Sequence, residues 1–152
     1  MKESSKIANP PTVSATARSL PIALLRARER VMGPIRAMLS DAGVTEQQWR
    51  VLRVLVENGS LDPTEIAELS CLLLPSLTRI LNTLEEKGYI SRMPHPKDGR
   101  RLRISITNGG RDFVAGNMAE SERITARLQE HLGEEKLESL LDLLNDLNSV
   151  RL

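Results

Sequence analysis

Residues 73–110, LLPSLTRILNTLEEKGYISRMPHPKDGRRLRISITNGG, decide the fold of this chain because an amphipathic helix in them leads directly into a hairpin. The helix begins near Pro75 and ends at Gly88, a residue type that readily takes the left-handed conformation after a helix end. Its apolar residues recur at spacings of three and four, which indicates one buried face. That face consists of Leu77, Ile80, Leu81 and Leu84.

The segment after Gly88 predicts a two-stranded β hairpin. A short strand lies between Ile90 and His95, and Asp98-Gly99 is a dipeptide that favours a tight turn with positive φ. The return strand alternates between an apolar face and a polar face, as expected for a strand with one side packed. The apolar face is Leu102, Ile104 and Ile106, and the polar face is Arg101, Arg103 and Ser105.

A short helix directly upstream completes the central motif. Asp62 as N-cap, Pro63 in the first turn and Glu65 as the reciprocal partner form a capping box. The turn Cys71–Leu74 joins this helix to the one that begins near Pro75. Two helices joined by a short turn and followed by a hairpin are the plan of a winged helix-turn-helix. In that motif the second helix enters the major groove of DNA.

Two further helices are predicted before the central motif. An apolar stripe indicates the first over Leu20–Leu39, and Pro34 is expected to kink it near Arg30–Gly33 because proline removes a backbone donor. Thr45 and Gln48 form a second capping box, which starts the next helix.

Two more helices are predicted after the hairpin. Thr107 caps a fifth helix that runs to about Leu128, and Gly133 separates it from a sixth. The sixth helix carries a narrow leucine seam, which needs a partner because one small lobe cannot cover it. The seam consists of Leu137, Leu140, Leu141, Leu144 and Leu147.

The predicted fold class is therefore mainly α, with one two-stranded β wing and flanking dimerisation helices. We expect a disordered arm over residues 1–17 and dimerisation helix 1 over 18–40. The winged helix-turn-helix lobe should cover 41–110, and dimerisation helices 5 and 6 should cover 111–152.

Composition narrows the class of protein. A single cysteine and two histidines among 152 residues exclude an intrachain disulfide and argue against a metal site, so no metal or cofactor is expected. No glycine-rich phosphate loop or nucleophile elbow indicates an enzyme, and no catalytic residue is assigned. No apolar run approaches the roughly 20 residues of a membrane span, which favours a cytoplasmic protein without a membrane partner. Cys71 lies among leucines, which predicts a buried thiol of raised pKa.

Charge is unevenly distributed along the chain. Residues 73–111 carry eight Lys or Arg against three Asp or Glu, whereas residues 112–152 carry four against nine. A basic middle segment attracts a polyanion, and double-stranded DNA is the expected partner. Arginine and asparagine suit bidentate base contacts, and a basic loop suits the narrow minor groove. The predicted DNA-binding residues are Pro75, Ser76, Thr78, Arg79, Asn82, Lys97, Arg100 and Arg101; Asp98 is expected to shape the wing by pairing with a neighbouring arginine.

The stretch 73–110 resembles the core signature of the multiple antibiotic resistance regulator (MarR) family. The resemblance rests on LEEKGYI, on Asp98-Gly99-Arg100 as the wing's D-x-R motif, and on the start of the fifth helix from Thr107 to Gly110. It extends from about Leu20 to Leu147. Within the family, TEQQWRVLRVL and LLLPSLTRILNTLE are similar to regulators of homoprotocatechuate (4-hydroxyphenylacetate) degradation operons.

The resemblance implies a homodimeric, ligand-responsive regulator, a repressor by analogy, that binds a palindromic operator. It also implies a small phenolic or aromatic carboxylate as effector, held by Arg28, Trp49 and Arg53. Trp49 offers a stacking face and either arginine offers a bidentate clamp. The alternative is a winged-helix module that binds protein and not DNA. The arginines of the hairpin favour DNA, because a protein-binding module has no need for them.

Overall fold

The structure of this protein, a computed structural model, describes residue 16 and residues 18–152. The predicted disordered arm over residues 1–17 therefore lies outside the described residues, except for 16. The described residues divide into two compact units, one that ends at Pro34 and one that runs from Ile35 to Leu152. No helix in the described part of the chain combines the length and the apolar character that a membrane span requires.

The described chain forms six helices of four or more residues and one two-stranded antiparallel sheet, which confirms the predicted fold class. The helices and strands are α1 (Leu20–Ala42), α2 (Glu46–Asn58), α3 (Pro63–Leu69), α4 (Leu74–Glu86), β1 (Ile90–His95), β2 (Asp98–Ile106), α5 (Asn108–Leu132) and α6 (Glu134–Asn148). We call the hairpin β1–β2 the wing. The helix α1 contains Pro34 and continues beyond it to Ala42.

Local capping fixes the helix starts where the sequence predicts them. Both predicted capping boxes are present, with Thr45 and Gln48 at α2 and with Asp62 and Glu65 at α3. At α5 the Thr107 hydroxyl accepts a hydrogen bond from the Gly110 amide at 3.1 Å. These bonds satisfy amide groups that have no partner inside the helix, so the starts are determined by neighbouring residues alone.

Two glycines set how the wing joins its neighbouring helices. Gly88 has a φ of 77°, which ends α4 in the left-handed conformation and turns the chain into β1. At Gly110, an added Cβ would lie 2.2 Å from the carbonyl oxygen of Tyr89. A side chain at this position would force the start of α5 away from the wing.

The core of residues 35–152 lies between α2, α3, α4 and the wing. Its fully buried side chains include Leu52 and Leu55 of α2, Ile66 of α3, Leu77 of α4 and Ile104 of β2. Trp49 packs edge-on against Phe113, with ring centroids 6.3 Å apart, and Phe113 stacks on Tyr89 at 4.7 Å. The chain's three aromatic side chains thus form one cluster, which joins α2, α5 and the start of β1.

The position of the hairpin turn corrects the prediction from Asp98-Gly99. Cα partners His95 and Asp98 close the ladder, so the two residues between them, Pro96 and Lys97, form the turn. Gly99 lies in β2 and is not among the glycines with positive φ. Because the fixed φ of proline suits the first central position of a tight turn, Pro96 favours this turn position over the Asp-Gly pair.

Cys71 is also placed differently from the prediction. The thiol was expected to be buried among leucines, yet the residue is exposed and has a φ of 54°. The α3–α4 turn requires one residue in the left-handed conformation. That turn carries Cys71 outward, while the neighbouring Ser70 is buried.

Candidate nucleic-acid interface

The helix α4 presents a polar arc to solvent. Leu77, Leu81 and Leu84 are buried against the core, which turns the opposite side of the helix outward. The five residues of α4 predicted to bind DNA are all exposed: Pro75, Ser76, Thr78, Arg79 and Asn82. At 100° per residue, Arg79 lies near the centre of this arc, with Asn82 towards one flank and Ser76 towards the other.

One flank of α4 is joined to the wing by Arg92. The Arg92 Nη2 donates a hydrogen bond to Asn82 Oδ1 at 2.5 Å, and its Nε lies 3.5 Å from Glu85 Oε2. Arg92 is on β1, so these contacts tie the wing directly to the recognition helix. The side-chain oxygen of Asn82 thereby accepts one hydrogen bond from the wing, and its amide nitrogen makes no hydrogen bond within the described residues.

Sequence reasoning missed Arg92, although a signal for it exists. Ile90 faces the core, and side chains two residues apart on a strand share a face. Arg92 therefore had to point inward, where a charged group needs a partner. The alternation that identified the apolar face of β2 identifies this anchor when it is applied to β1.

The tip of the wing is shaped by short backbone contacts. Asp98 Oδ1 accepts a hydrogen bond from the backbone amide of Arg100 at 3.1 Å, and His95 Nδ1 accepts one from the amide of Lys97 at the same distance. The partner of Asp98 is thus a backbone amide. The side chains of Lys97 and Arg100 are exposed, and neither makes an ion pair within the described residues. Two exposed cations therefore project from the tip of the wing.

Arg101 has a partner inside the protein. Its Nη2 lies 3.0 Å from Asp62 Oδ2, which joins the wing to the N-cap residue of α3. Asp62 also accepts the Glu65 amide, and that bond, followed by the nearby Arg101, holds the pKa of the Asp62 carboxyl below its usual value of 3.8 against the opposing effect of burial. A lowered pKa means that the stabilisation is present above the ordinary value and is lost as the pH falls through the folded value. The contact is therefore complete at neutral pH.

The wing is thus fastened on two sides, by Arg92 to α4 and by Arg101 to α3. These two contacts, which we call the wing anchors, set the spacing between Arg79 on the recognition helix and Arg100 near the tip. Arg79 likewise makes no side-chain hydrogen bond or ion pair in the described part of the chain. The arrangement leaves the guanidinium groups of Arg79 and Arg100 without a partner among the described residues.

The residues predicted to hold an effector lie in different surroundings. Trp49 is only 6% exposed and belongs to the aromatic cluster. Arg53, one turn later, is ion-paired with Glu57 at 2.8 Å and lines a groove of about 370 Å³ between α2 and α5. Arg28 lies on the part of α1 that belongs to the first unit, where its Nη1 is 3.6 Å from Glu29 Oε1. Within residues 18–152, no three His, Cys, Asp or Glu side chains gather into a possible metal site.

Two solved structures share this architecture along nearly the whole chain. The structure of NadR in complex with 4-hydroxyphenylacetate has a TM-score of 0.77 and 36% identity, and the match covers 99% of this chain and 100% of that one. The structure of the transcriptional repressor CouR bound to a 23-mer DNA duplex has a TM-score of 0.82 and 28% identity, over 93% of this chain and 99% of CouR.

Comparison of sequences gives the same result. Residues 44–102, from the start of α2 into the wing, match the MarR family. The transcriptional regulator FarR of Neisseria gonorrhoeae is 39% identical over 92% of this chain and 95% of its own length. The homoprotocatechuate degradative operon repressor of Escherichia coli is 37% identical over 84% of this chain and 86% of its own. Because the identity is this high over most of the length of both chains, this protein belongs to the MarR family of transcriptional regulators.

Proposed function

We propose that this protein is a cytoplasmic repressor that binds a palindromic operator as a homodimer and releases it when an aromatic carboxylate binds. The observation that carries the proposal is the pair of unpartnered arginines, Arg79 on α4 and Arg100 on the wing. An arginine at the centre of a recognition helix suits guanine in the major groove, and one on a thin loop suits the minor groove. In this proposal residues 41–110 form the DNA-binding lobe, and residues 18–40 and 111–152 form the dimer.

The wing anchors give the proposal its rigid geometry. Contacts from α4 and from the wing act together only if the distance between α4 and the wing is kept. Each anchor restricts the movement of the wing relative to the helices. Ser76, Thr78 and Pro75 extend the same surface along the first turn of α4, and Lys97 extends it at the tip. This surface contains the residues that the sequence predicted, with Arg101 directed to Asp62 in the free protein.

We expect Arg101 to act as a positioning residue. Arg101→Ala should weaken operator binding because the wing is no longer held to α3, while the dependence of affinity on salt should stay near that of the wild type. A guanidinium already paired with Asp62 releases few counterions from DNA. Filter binding at several salt concentrations measures both quantities.

Asp62→Asn is the matched variant for the Arg101 prediction. Asparagine is as good an N-cap as aspartate, so α3 should remain intact while the ion pair is lost. Its effect on affinity should equal that of Arg101→Ala, and the double variant should be no worse than either. A salt slope that falls by about one unit per subunit in Arg101→Ala alone would instead make Arg101 a phosphate contact.

The effector part of the proposal rests on named relatives and on Arg53. One relative is named for homoprotocatechuate degradation, and another was solved with 4-hydroxyphenylacetate; both compounds are aromatic carboxylates. In this chain, a ligand carboxylate entering the groove beside Arg53 would replace Glu57 as the partner of that guanidinium. Trp49 would support the site from the core, and Arg28 is proposed as a second clamp on α1.

The test begins with an operator selected from a random duplex library. Half-sites should be palindromic and about 10 base pairs apart, centre to centre, or a multiple of one turn. Adding 4-hydroxyphenylacetate should weaken operator binding about 5–150-fold, the usual range for two coupled sites. The same compound should raise the melting temperature of the free protein because it binds the folded state.

The controls separate the two halves of the proposal. 4-Hydroxyphenylacetamide has the same ring without the charge and should be inert. Arg53→Ala and Arg28→Ala should lose the response while operator binding without effector stays near that of the wild type. If no phenolic acid binds below millimolar concentration, or if binding survives both substitutions, this effector site is refuted. If no duplex is enriched, DNA binding itself is refuted.

A further inference from the structure

We infer that Arg50 of α2 is a further DNA-backbone contact, on the flank of α4 that faces away from the wing. The inference rests on the proposed operator binding and adds a second flanking contact beside the recognition helix, which we call the second wall. The first wall is the wing, whose Arg92 contacts Asn82 and Glu85 on one flank of α4. The opposite flank, which carries Ser76 and Thr83, faces α2.

An open groove of about 550 Å³ lies between α2 and α4 at this second flank. Gln47 and Arg50 contribute its α2 wall, and Ser76, Arg79 and Thr83 contribute its α4 wall. The groove therefore shares Arg79 with the surface that is proposed to read bases. Its lining, as far as the structure describes it, contains two arginines and no Asp or Glu.

Arg50, like Arg79 across the groove, has no carboxylate partner in the described part of the chain, whereas other arginines close to it on α1 and α2 have one. Arg53, three residues later on the same helix, is paired with Glu57, and Arg36 lies 3.8 Å from Glu46. Within the described residues, Arg50 makes neither an ion pair nor a side-chain hydrogen bond. Arg50 is also partly buried and lines the groove, a placement in which a long cationic side chain packs its stem along the protein and keeps its charged end in water.

The dimensions of DNA indicate what this charge meets. A helix with its side chains is about 10–12 Å wide, and the major groove is about 12 Å wide, so an inserted helix fills the groove. The protein on either flank then faces the two phosphate backbones that border the groove. The wing faces one of these backbones, and Arg50 with Gln47 faces the other. A guanidinium with five donors suits a phosphate in this place.

The experiment compares Arg50→Gln with the wild type on the selected operator and on an unrelated duplex. The slope of log affinity against log salt concentration should become less steep by about 0.9 for each subunit. If the two proteins bind equally at 1 M salt, each lost contact then weakens binding about eightfold at 0.1 M salt. The loss should be the same on both duplexes, because a phosphate contact carries no sequence information. Arg50→Lys keeps the charge and should retain most of the slope.

Two controls make the result specific to this position. Arg123→Gln removes the same charge from an exposed site on α5, where the arginine is paired with Glu120, and should leave the slope unchanged. Operators with single methylphosphonate substitutions test the wild-type protein directly. Neutralising one phosphate beside the major groove should weaken wild-type binding and have little further effect on Arg50→Gln.

The outcomes separate the inference from the proposed function. If the wild type binds the operator and Arg50→Gln binds it with the same affinity and salt slope, Arg50 is not a contact and the remaining interface stands. If the wild type binds no duplex, both proposals are overturned. If Arg50→Gln proves unstable, the methylphosphonate scan decides: the inference is overturned when no phosphate on the α2 side of the recognition helix affects wild-type binding.

Discussion

Replacing Leu140 and Leu147 with glutamate should abolish the dimer and tight operator binding together. No residue of α6 is buried within the single chain, and these two leucines, seven positions apart on one face, are 41% and 36% exposed. Completing the burial of four such side chains contributes about 4 kcal/mol, at about 1.5–3 kcal/mol for a whole leucine. That is about a thousandfold in the dissociation constant, before the cost of burying carboxylates.

Loss of the dimer should weaken operator binding strongly because the DNA-binding lobes of the two subunits bind one operator. A monomer keeps its contacts to one half-site but loses the effective concentration that the second half-site supplies, which is worth about 10²–10⁴ in affinity. Sedimentation at micromolar protein should show a monomer. Circular dichroism should show normal helix content. Footprinting should show no protection of the full operator at concentrations that saturate the wild type.

The control variant places the same charges on other faces of α6. Ser139→Glu with Asn145→Glu adds two carboxylates at exposed polar positions and should leave both assembly and binding intact. A Leu140/Leu147 variant that remains dimeric would move the interface away from this seam. A monomeric variant that still binds the full operator tightly would contradict the dimeric mode of binding.

Arg79→Ala and Arg100→Ala should weaken operator binding in different ways. A bidentate arginine–guanine pair discriminates against the wrong base by about 1–3 kcal/mol, so Arg79→Ala should cost that much per half-site on the operator. Its loss on unrelated DNA should be much smaller, and preference should relax at one base pair. Arg79→Lys should be nearly as damaging, because an ammonium group cannot make the forked contact.

Arg100→Ala should act more evenly on operator and unrelated DNA. Its guanidinium extends from the wing towards the strongly negative minor groove, so its loss should lower the salt slope by about one unit for each subunit. Titrations of both variants on the two duplexes, at several salt concentrations, distinguish the roles. If both variants bind both duplexes as well as the wild type does, the groove assignment is wrong.

Much of the fold follows from short-range features of the sequence. The capping boxes at Thr45 and Asp62, the end of α4 at Gly88 and the cap at Thr107 each depend on residues within four positions of one another. The buried face of α4 follows from helical periodicity. Such features are readable in the chain because the residues that make these hydrogen bonds lie only three or four positions apart, and local preferences agree with the final fold.

The exposed residues of the recognition helix were also predictable from the sequence. Once Leu77, Leu81 and Leu84 are buried, the positions of Ser76, Arg79 and Asn82 are fixed by the 100° turn per residue. The exposure of Lys97 and Arg100 was likewise expected from their place at the tip of the hairpin. What these residues contact within the protein does not follow, since a period specifies a face and not a neighbour.

Only the tertiary structure decided the remaining features. Arg101 contacts Asp62, which lies 39 residues earlier in the chain, and Arg92 contacts Asn82, which lies 10 residues earlier. Arg50 shares a groove with Arg79, 29 residues later. The packing of α2, α3 and the wing around α4 brings these pairs together. The same packing turns Cys71 outward. By itself the sequence determined the order of elements, their caps and their faces, which depend on local bonds and periodicity. The tertiary structure determined which charges are neutralised within the protein and which remain for DNA, because a salt bridge depends on distances between elements that are far apart in the chain.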